Sequence, residues 1–251
     1  HIEIVKLLLN DKRVDINKED KYLRTPLFSA CEHRRAGIVK LLLDDKRIEI
    51  NEANFDNTTP FYVACRNRYI DIVKILLNDN RVDFNKADND GYTPFYIACQ
   101  NGHIEIVKLL LNDQRVDINQ PQSQEATPFY IACFKGHIEI MKLLLNDDRV
   151  DVNKANKYEE TPFFMACQEG RLEIVKLLLN DNRVVDINKA NNDEGIASFY
   201  IACKNGHIEI VKLLLNDERI DINKADQNGE TPFYIACFHG HIEIVKYLFA
   251  C

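Results

Sequence analysis

Seven histidines and eight cysteines are the residues of this 251-residue chain best suited to chemistry. Histidine moves protons and binds metals near neutral pH, and a cysteine thiolate is a nucleophile and a metal ligand. His103, His137, His207 and His241 all open the same phrase, His33 lies in an earlier copy, and His239 is two residues before His241, so His239 and His241 could begin a metal site. The cysteines are more regular still: Cys31, Cys65, Cys99, Cys133, Cys167, Cys203 and Cys237 hold one place in successive copies. Equivalent positions on stacked helices lie roughly 8–10 Å apart, beyond the about 7 Å that a disulfide spans. They therefore read as free thiols filling small buried slots, with Cys251 as the exposed, reactive one. The chain has no G-x-x-x-x-G-K-[ST], G-x-G-x-x-G, H-E-x-x-H, G-x-S-x-G or C-x-x-C motif. The sequence reading assigns no catalytic residue, no metal and no cofactor.

What positions these residues is repetition. Thr-Pro recurs at Thr25, Thr59, Thr93, Thr127 and Thr161 with a 34-residue period, then as Ala197-Ser198 and again at Thr231. The sixth interval is longer by two, one extra residue being Val184 or Val185 and the other lying within "NNDEGIAS". A unit this short cannot bury its own apolar face and must lean on its neighbours. The period alone would suit a tetratricopeptide array, but that pattern needs a Trp and the chain has none.

The phrase "TPFYIAC" matches T-P-L-H-x-A at Thr, Pro and Ala, and "GHIEIVKLLL" and "DIN" follow it in register. The chain thus resembles the ankyrin repeat over its whole length. The resemblance implies an all-α, curved solenoid of antiparallel helix pairs joined by extended β-turn loops. Its boundaries are a partial repeat 1–17, repeats 18–51, 52–85, 86–119, 120–153, 154–188 and 189–223, and a truncated repeat 224–251, all in one array. Ends that carry no polar capping unit suggest a piece of a longer array, weak termini and head-to-tail self-association.

Local rules agree. Each Thr can cap a helix whose first residue is Pro, and the second helix is expected to bury Ile104, Val107 and Leu111. Asn112 is expected to end that helix in a left-handed conformation. One arginine per copy, such as Arg81 or Arg115, is expected to pair with the acid two or three residues later, forming a ladder of ion pairs. Phe61, Phe95, Phe129, Phe163, Phe199 and Phe233 are expected in the core, and the Glu and Lys of "IEIVK" on a solvated face. Arg34 and Arg68 replace the turn glycine, and Gly37 interrupts a second helix. In the family the turn histidine bonds within its repeat, a bond that copies with Tyr69 or Arg171 would lack. The histidine of "TPLH" is Phe28, Tyr62, Tyr96, Tyr130, Phe164, Tyr200 or Tyr234, so tyrosine hydroxyls could replace its inter-loop bond in five copies.

Copies this uniform must carry their specificity where they differ, at the turn before Thr-Pro and just after the framework cysteine. The resemblance makes these the fingers of a concave, partner-facing side. The candidate partner-binding residues are Tyr22, Arg24, Phe55, Arg66, Asp90, Tyr92, Gln100, Phe134, Lys135, Tyr158, Gln168, Lys204, Phe238 and His239. The expected function is a non-catalytic scaffold for another protein, with a regulatory segment of a larger enzyme or channel and a structural spring as alternatives. A net charge of −7 with dispersed Lys and Arg leaves no footprint for nucleic acid. The apolar runs are too short for membrane insertion, and reduced cysteines suit the cytoplasm.

Overall fold

The fold is described from a computed structural model over residues 2–250. Thr-Pro starts each first helix as expected. The amides of Phe28, Tyr62, Tyr96, Tyr130, Phe164 and Tyr234 donate to the threonine Oγ three residues earlier at 3.0–3.2 Å. Pro follows at the first helical position, where its missing N–H had no partner to lose. Ala197 offers no such acceptor.

The chain divides into two compact units, His1–Ser123 and Gln124–Cys251. In the first, α1 (Ile2–Asn10) precedes three helix pairs: α2 (Pro26–Glu32) with α3 (Ala36–Leu43), α4 (Pro60–Arg66) with α5 (Ile70–Leu77), and α6 (Pro94–Gln100) with α7 (Ile104–Leu111). The second holds four pairs: α8 (Pro128–Lys135) with α9 (Ile138–Leu145), α10 (Pro162–Gln168) with α11 (Leu172–Leu179), α12 (Ser198–Lys204) with α13 (Ile208–Leu215), and α14 (Pro232–Phe238) with α15 (Ile242–Ala250). Within each unit, first helices pack on first helices and second on second, and the described residues contain no strand. This is the stacked helix-pair fold expected.

The core of each unit is built from the repeated phrases. Phe61, Phe95, Phe129, Phe163 and Phe199 are buried, as are the thiols of Cys31, Cys65, Cys99, Cys133, Cys167 and Cys203, none in a disulfide. Phe233 and Cys237 break the expectation: Phe233 is 42% exposed and Cys237 is also exposed, because among the described residues α14 has a first helix, α12, packed on one side and none on the other. Cys251 lies outside the described residues. The buried face of α7 is Ile106, Val107 and Leu110 rather than Ile104, Val107 and Leu111. The helix is wedged between α6 and its neighbouring second helix, which rotates the shielded arc toward the i, i+1, i+4 positions. Of the two inserted residues, Val185 is one, 75% exposed beside a buried Val184.

The expected left-handed helix end is absent. Asn112 is right-handed, with φ −76°, and so are Asn78, Asn146, Asn180 and Asn216. The chain keeps turning instead: the Asp113 amide donates to Leu110 O and the Val116 amide to Asp113 O, each at 3.1 Å. The arginine ladder exists, but each arginine pairs with the acid before it rather than the one expected after it. Arg115 grips the acid two residues before it, Asp113, through Nε at 2.9 Å, and extends to Leu77 O of the preceding repeat at 2.8 Å. Arg47, Arg81, Arg183 and Arg219 repeat both contacts. The later acid is used locally, Asp117 accepting from the Asn119 amide at 3.0 Å. Two residues is the span at which a carboxylate can hold both the backbone and the side chain of one arginine, which leaves the fork free to reach the open carbonyls of the previous helix end.

The asparagine of "DIN" adds a second ladder that the sequence reading missed. Asn85 donates to Arg115 O at 2.8 Å and accepts from the Asp117 amide at 2.7 Å, and Asn17, Asn51 and Asn188 do the same one repeat along.

Candidate functional site

Six of the seven fingers are organised by one Asp or Asn placed five or six residues before the helix cap, and the finger before Thr127 has Gln122 there. Asp20 Oδ1 accepts from the amides of Tyr22 and Arg24, Asn54 Oδ1 from Asp56 and Thr58, and Asp88 Oδ1 from Asp90 and Tyr92, all at 2.8–3.1 Å. Asn156 and Asp226 act alike in the second unit. Asn191 closes the finger that carries the other inserted residue, its amide donating to Ile196 O five residues on instead of four. Short polar side chains favour such turns because they substitute for backbone partners. A left-handed residue completes each turn: Leu23, Asn57, Gly91, Glu125, Glu159, Gly195 and Gly229 have φ between 58° and 84°. At Gly91 the need is double, since a Cβ would sit 2.8 Å from Ser123 N.

Neighbouring tips are tied by single backbone bonds. In the first unit the amides of Phe55, Asn89 and Ser123 donate to Tyr22 O, Asp56 O and Asp90 O at 3.4, 3.1 and 3.0 Å. In the second, Lys157, Asn192 and Gln227 donate to Gln124 O, Tyr158 O and Glu194 O, each at 2.9 Å. Tyrosine hydroxyls brace the fingers from below, Tyr62 donating to Asp88 at 2.7 Å and Tyr200 to Asp226 at 3.3 Å. Burial, reinforced by Asp88, pushes the Tyr62 hydroxyl well above the ordinary range, so it stays a donor. Tyr130 reaches Glu160 at 3.4 Å and Asn156 donates to its hydroxyl at 2.9 Å, whereas Tyr234 is exposed.

The structure places the fourteen candidate residues in two groups, one per unit. In the first, Tyr22 and Phe55 stand exposed on neighbouring tips, with Lys21 and Arg24 lying 4.8 and 4.9 Å from the Tyr22 ring centre. Arg24 is engaged by Asp20 and Glu32, at 2.7 and 3.0 Å. Asp90 is exposed on the third tip. Tyr92 is half-buried, stacked on Tyr96 with ring centres 5.0 Å apart. Arg66 and Gln100 end α4 and α6 and are half-buried. In the second unit, Tyr158 is exposed beneath Lys157, Phe134 is half-buried with Lys135 5.1 Å from its ring, and Lys204 pairs with Glu194 at 2.9 Å. Gln168 is half-buried at the end of α10. Phe238, 70% exposed, and His239 lie edge to face on α14.

The turn histidines join repeats rather than serving their own. His103 Nε2 meets Arg66 O at 3.0 Å, and His207 and His241 meet Gln168 O and Lys204 O at 2.9 Å. Arg171, contrary to expectation, makes a looser version of this bond to Phe134 O at 3.4 Å. The role is structural: a ring nitrogen satisfies an open carbonyl at a helix end one repeat away. It also explains the turn glycine, since a Cβ on Gly170, at φ +68°, would lie 2.7 Å from the His207 ring. His239 stacks on His241 with ring centres 6.0 Å apart, and among the described residues no three His, Cys, Asp or Glu side chains gather as metal ligands.

A family model described as ankyrin repeats (3 copies) matches residues 1–54, 48–122, 114–191 and 183–251. No match is found among curated proteins. With capped helix pairs, finger turns and inter-repeat bonds recurring through the matched residues, the chain belongs to the ankyrin-repeat family.

Proposed function

We propose that the chain is a non-catalytic scaffold that binds a partner protein through its finger tips. Ankyrin repeats generally mediate protein–protein interaction. The observation that carries the reading is Phe55, 60% exposed on a tip pinned by the Asn54 turn and the Tyr22 O bond. An aromatic side chain held in water on a pre-ordered loop gains free energy when covered and loses little entropy. Tyr22 extends that surface, framed by Arg24, Arg66, Asp90, Tyr92 and Gln100. In the second unit Tyr158 and Phe238 are the anchors, with Phe134, Lys135, Gln168, Lys204 and His239 around them. The six buried reduced thiols suit a reducing compartment, which favours the cytoplasm. Among the described residues no helix is long and apolar enough to cross a membrane.

The test is affinity capture with the intact chain and with Tyr22→Ala/Phe55→Ala and Tyr158→Ala/Phe238→Ala pairs. Loss of specific captured proteins with unchanged circular dichroism supports the reading, and an identical set from all three chains refutes it. Self-association is a second reading, favoured by exposed Leu7 on α1 and Phe249 on α15. Sedimentation velocity would show concentration-dependent growth that Phe249→Ser abolishes; a monomer at all concentrations excludes it.

A further inference from the structure

Several departures from the repeat converge in the first unit. Every other second helix carries Glu or Asp in its first turn, but α3 has none, because Gly37 stands at that position. Lys40 therefore lacks the i,i+3 partner that holds Lys108 to Glu105 at 3.0 Å and Lys142 to Glu139 at 2.7 Å. On α5, Asp71 turns away from Lys74 to meet Arg34 Nε at 3.3 Å. Arg34 and Arg68 occupy left-handed turns, φ 53° and 60°, where later copies use glycine. Holding an L-residue there costs about 1–2 kcal/mol each. Arg35 replaces the turn histidine and is exposed. At Arg34 the cost is offset only by the exposed Asp71 pair and by Tyr69, whose ring centre lies 5.6 Å from the guanidinium, and strain retained in two adjacent copies points toward function.

These residues surround one feature. A shallow groove between α3 and α5 is lined by Ala36, Gly37 and Lys40 from one helix and by Asp71, Lys74 and Ile75 from the other. A Cβ on Gly37 would meet only the flexible end of Ile2, at 3.1 Å, so close packing does not by itself require glycine. The floor is small and apolar, and among the described residues the lining cations Lys40 and Lys74, and Arg35 just before α3, have no carboxylate partner. The Arg34–Asp71 pair is exposed, and such pairs are weak enough to exchange for another carboxylate.

We infer that the α3–α5 groove is a second docking surface, which takes an acidic peptide segment of a partner protein. Charge complementarity selects the occupant: Lys40 and Lys74 line the groove, and its one carboxylate, Asp71, is already held by Arg34, on a chain whose net charge is −7. A short acidic peptide meets only the groove, whereas a nucleic acid would run onto the acidic remainder. The inference rests on the scaffold reading but uses residues separate from the finger tips.

The experiment is fluorescence anisotropy of a labelled oligoglutamate with the full chain, alongside oligoglutamine and oligothymidylate of matched length. The variants are Lys40→Ala/Lys74→Ala, Gly37→Glu and Phe55→Ala. The expected result is salt-sensitive oligoglutamate binding, weakened roughly tenfold or more by Lys40→Ala/Lys74→Ala and by Gly37→Glu, and unchanged by Phe55→Ala. Because Lys40 and Lys74 are solvent-facing, that pair of changes decides the matter even where Gly37→Glu disturbs the helix. Equal binding by Lys40→Ala/Lys74→Ala, equal affinity for oligoglutamine, or tighter binding of oligothymidylate overturns the inference. An identical captured set from the tip variants, with the groove titration intact, would instead count against the finger tips alone.

Discussion

Ala197 and Ser198 stand where six other copies have threonine and proline, and the structure shows what the change removes. Ala197 has the extended backbone of a cap without its oxygen, and the Ser198 hydroxyl is buried with no partner. Ala197→Thr/Ser198→Pro should therefore stabilise the chain by about 1 kcal/mol, read as a higher urea midpoint; no gain would mean that the cap pocket differs there. The Arg115 side chain grips its own turn and the preceding helix, while the Asp117 carboxylate serves its own turn. Midpoint losses should rank Leu110→Ala first, at about 2–5 kcal/mol, then Arg115→Ala, then Asp117→Ala. A larger loss for Asp117→Ala than for Arg115→Ala would restore the downstream pairing expected from sequence. Thiol reactivity separates the cysteines: burial pushes Cys31 and Cys203 up to about 12, and also raises Cys65, Cys99, Cys133 and Cys167 well above the ordinary thiol range. In the native chain iodoacetamide should label exposed Cys237 and spare those six, as peptide mass mapping would show.

At the scale of elements, the turn between paired helices is where two repeats meet. Gly170→Ala places a methyl against His207 and strains a left-handed backbone, so it should destabilise by more than the about 1 kcal/mol of the strain alone. Arg34→Gly and Arg68→Gly should do the opposite, each stabilising by about 1 kcal/mol in thermal melts. Unchanged melts would mean that these turns carry no strain. Helix starts were legible because Thr, Pro and the next amide are local neighbours. The helix ends were not: at Asn78 the chain turns right-handed and leaves the Leu77 carbonyl to Arg115, which stands one repeat later.

At the scale of the whole molecule, the repeated Asp–Arg turns make stability depend on acid. Hydrogen bonds from Arg47 and Arg24 hold the Asp45 and Asp20 carboxyls down to about 2, below the ordinary ~3.9. Carboxylates with a lowered folded pKa contribute stability that is present above about pH 4 and lost as pH falls toward 2. Melting temperature should be flat from pH 7 to about 5 and fall between about 4 and 2, and Asp45→Asn should shallow that fall; an equally steep fall in Asp45→Asn would exclude this origin. By itself the sequence determined the repeat, the paired helices, their caps and the buried thiols, since each follows from residues within one copy. Only the tertiary structure decided which partner each arginine holds, that the turn histidines and the "DIN" asparagines span repeats, and that Phe233 and Cys237 face solvent. Those outcomes depend on what stands one repeat away, and a sequence of near-identical copies says little about which neighbour a side chain meets.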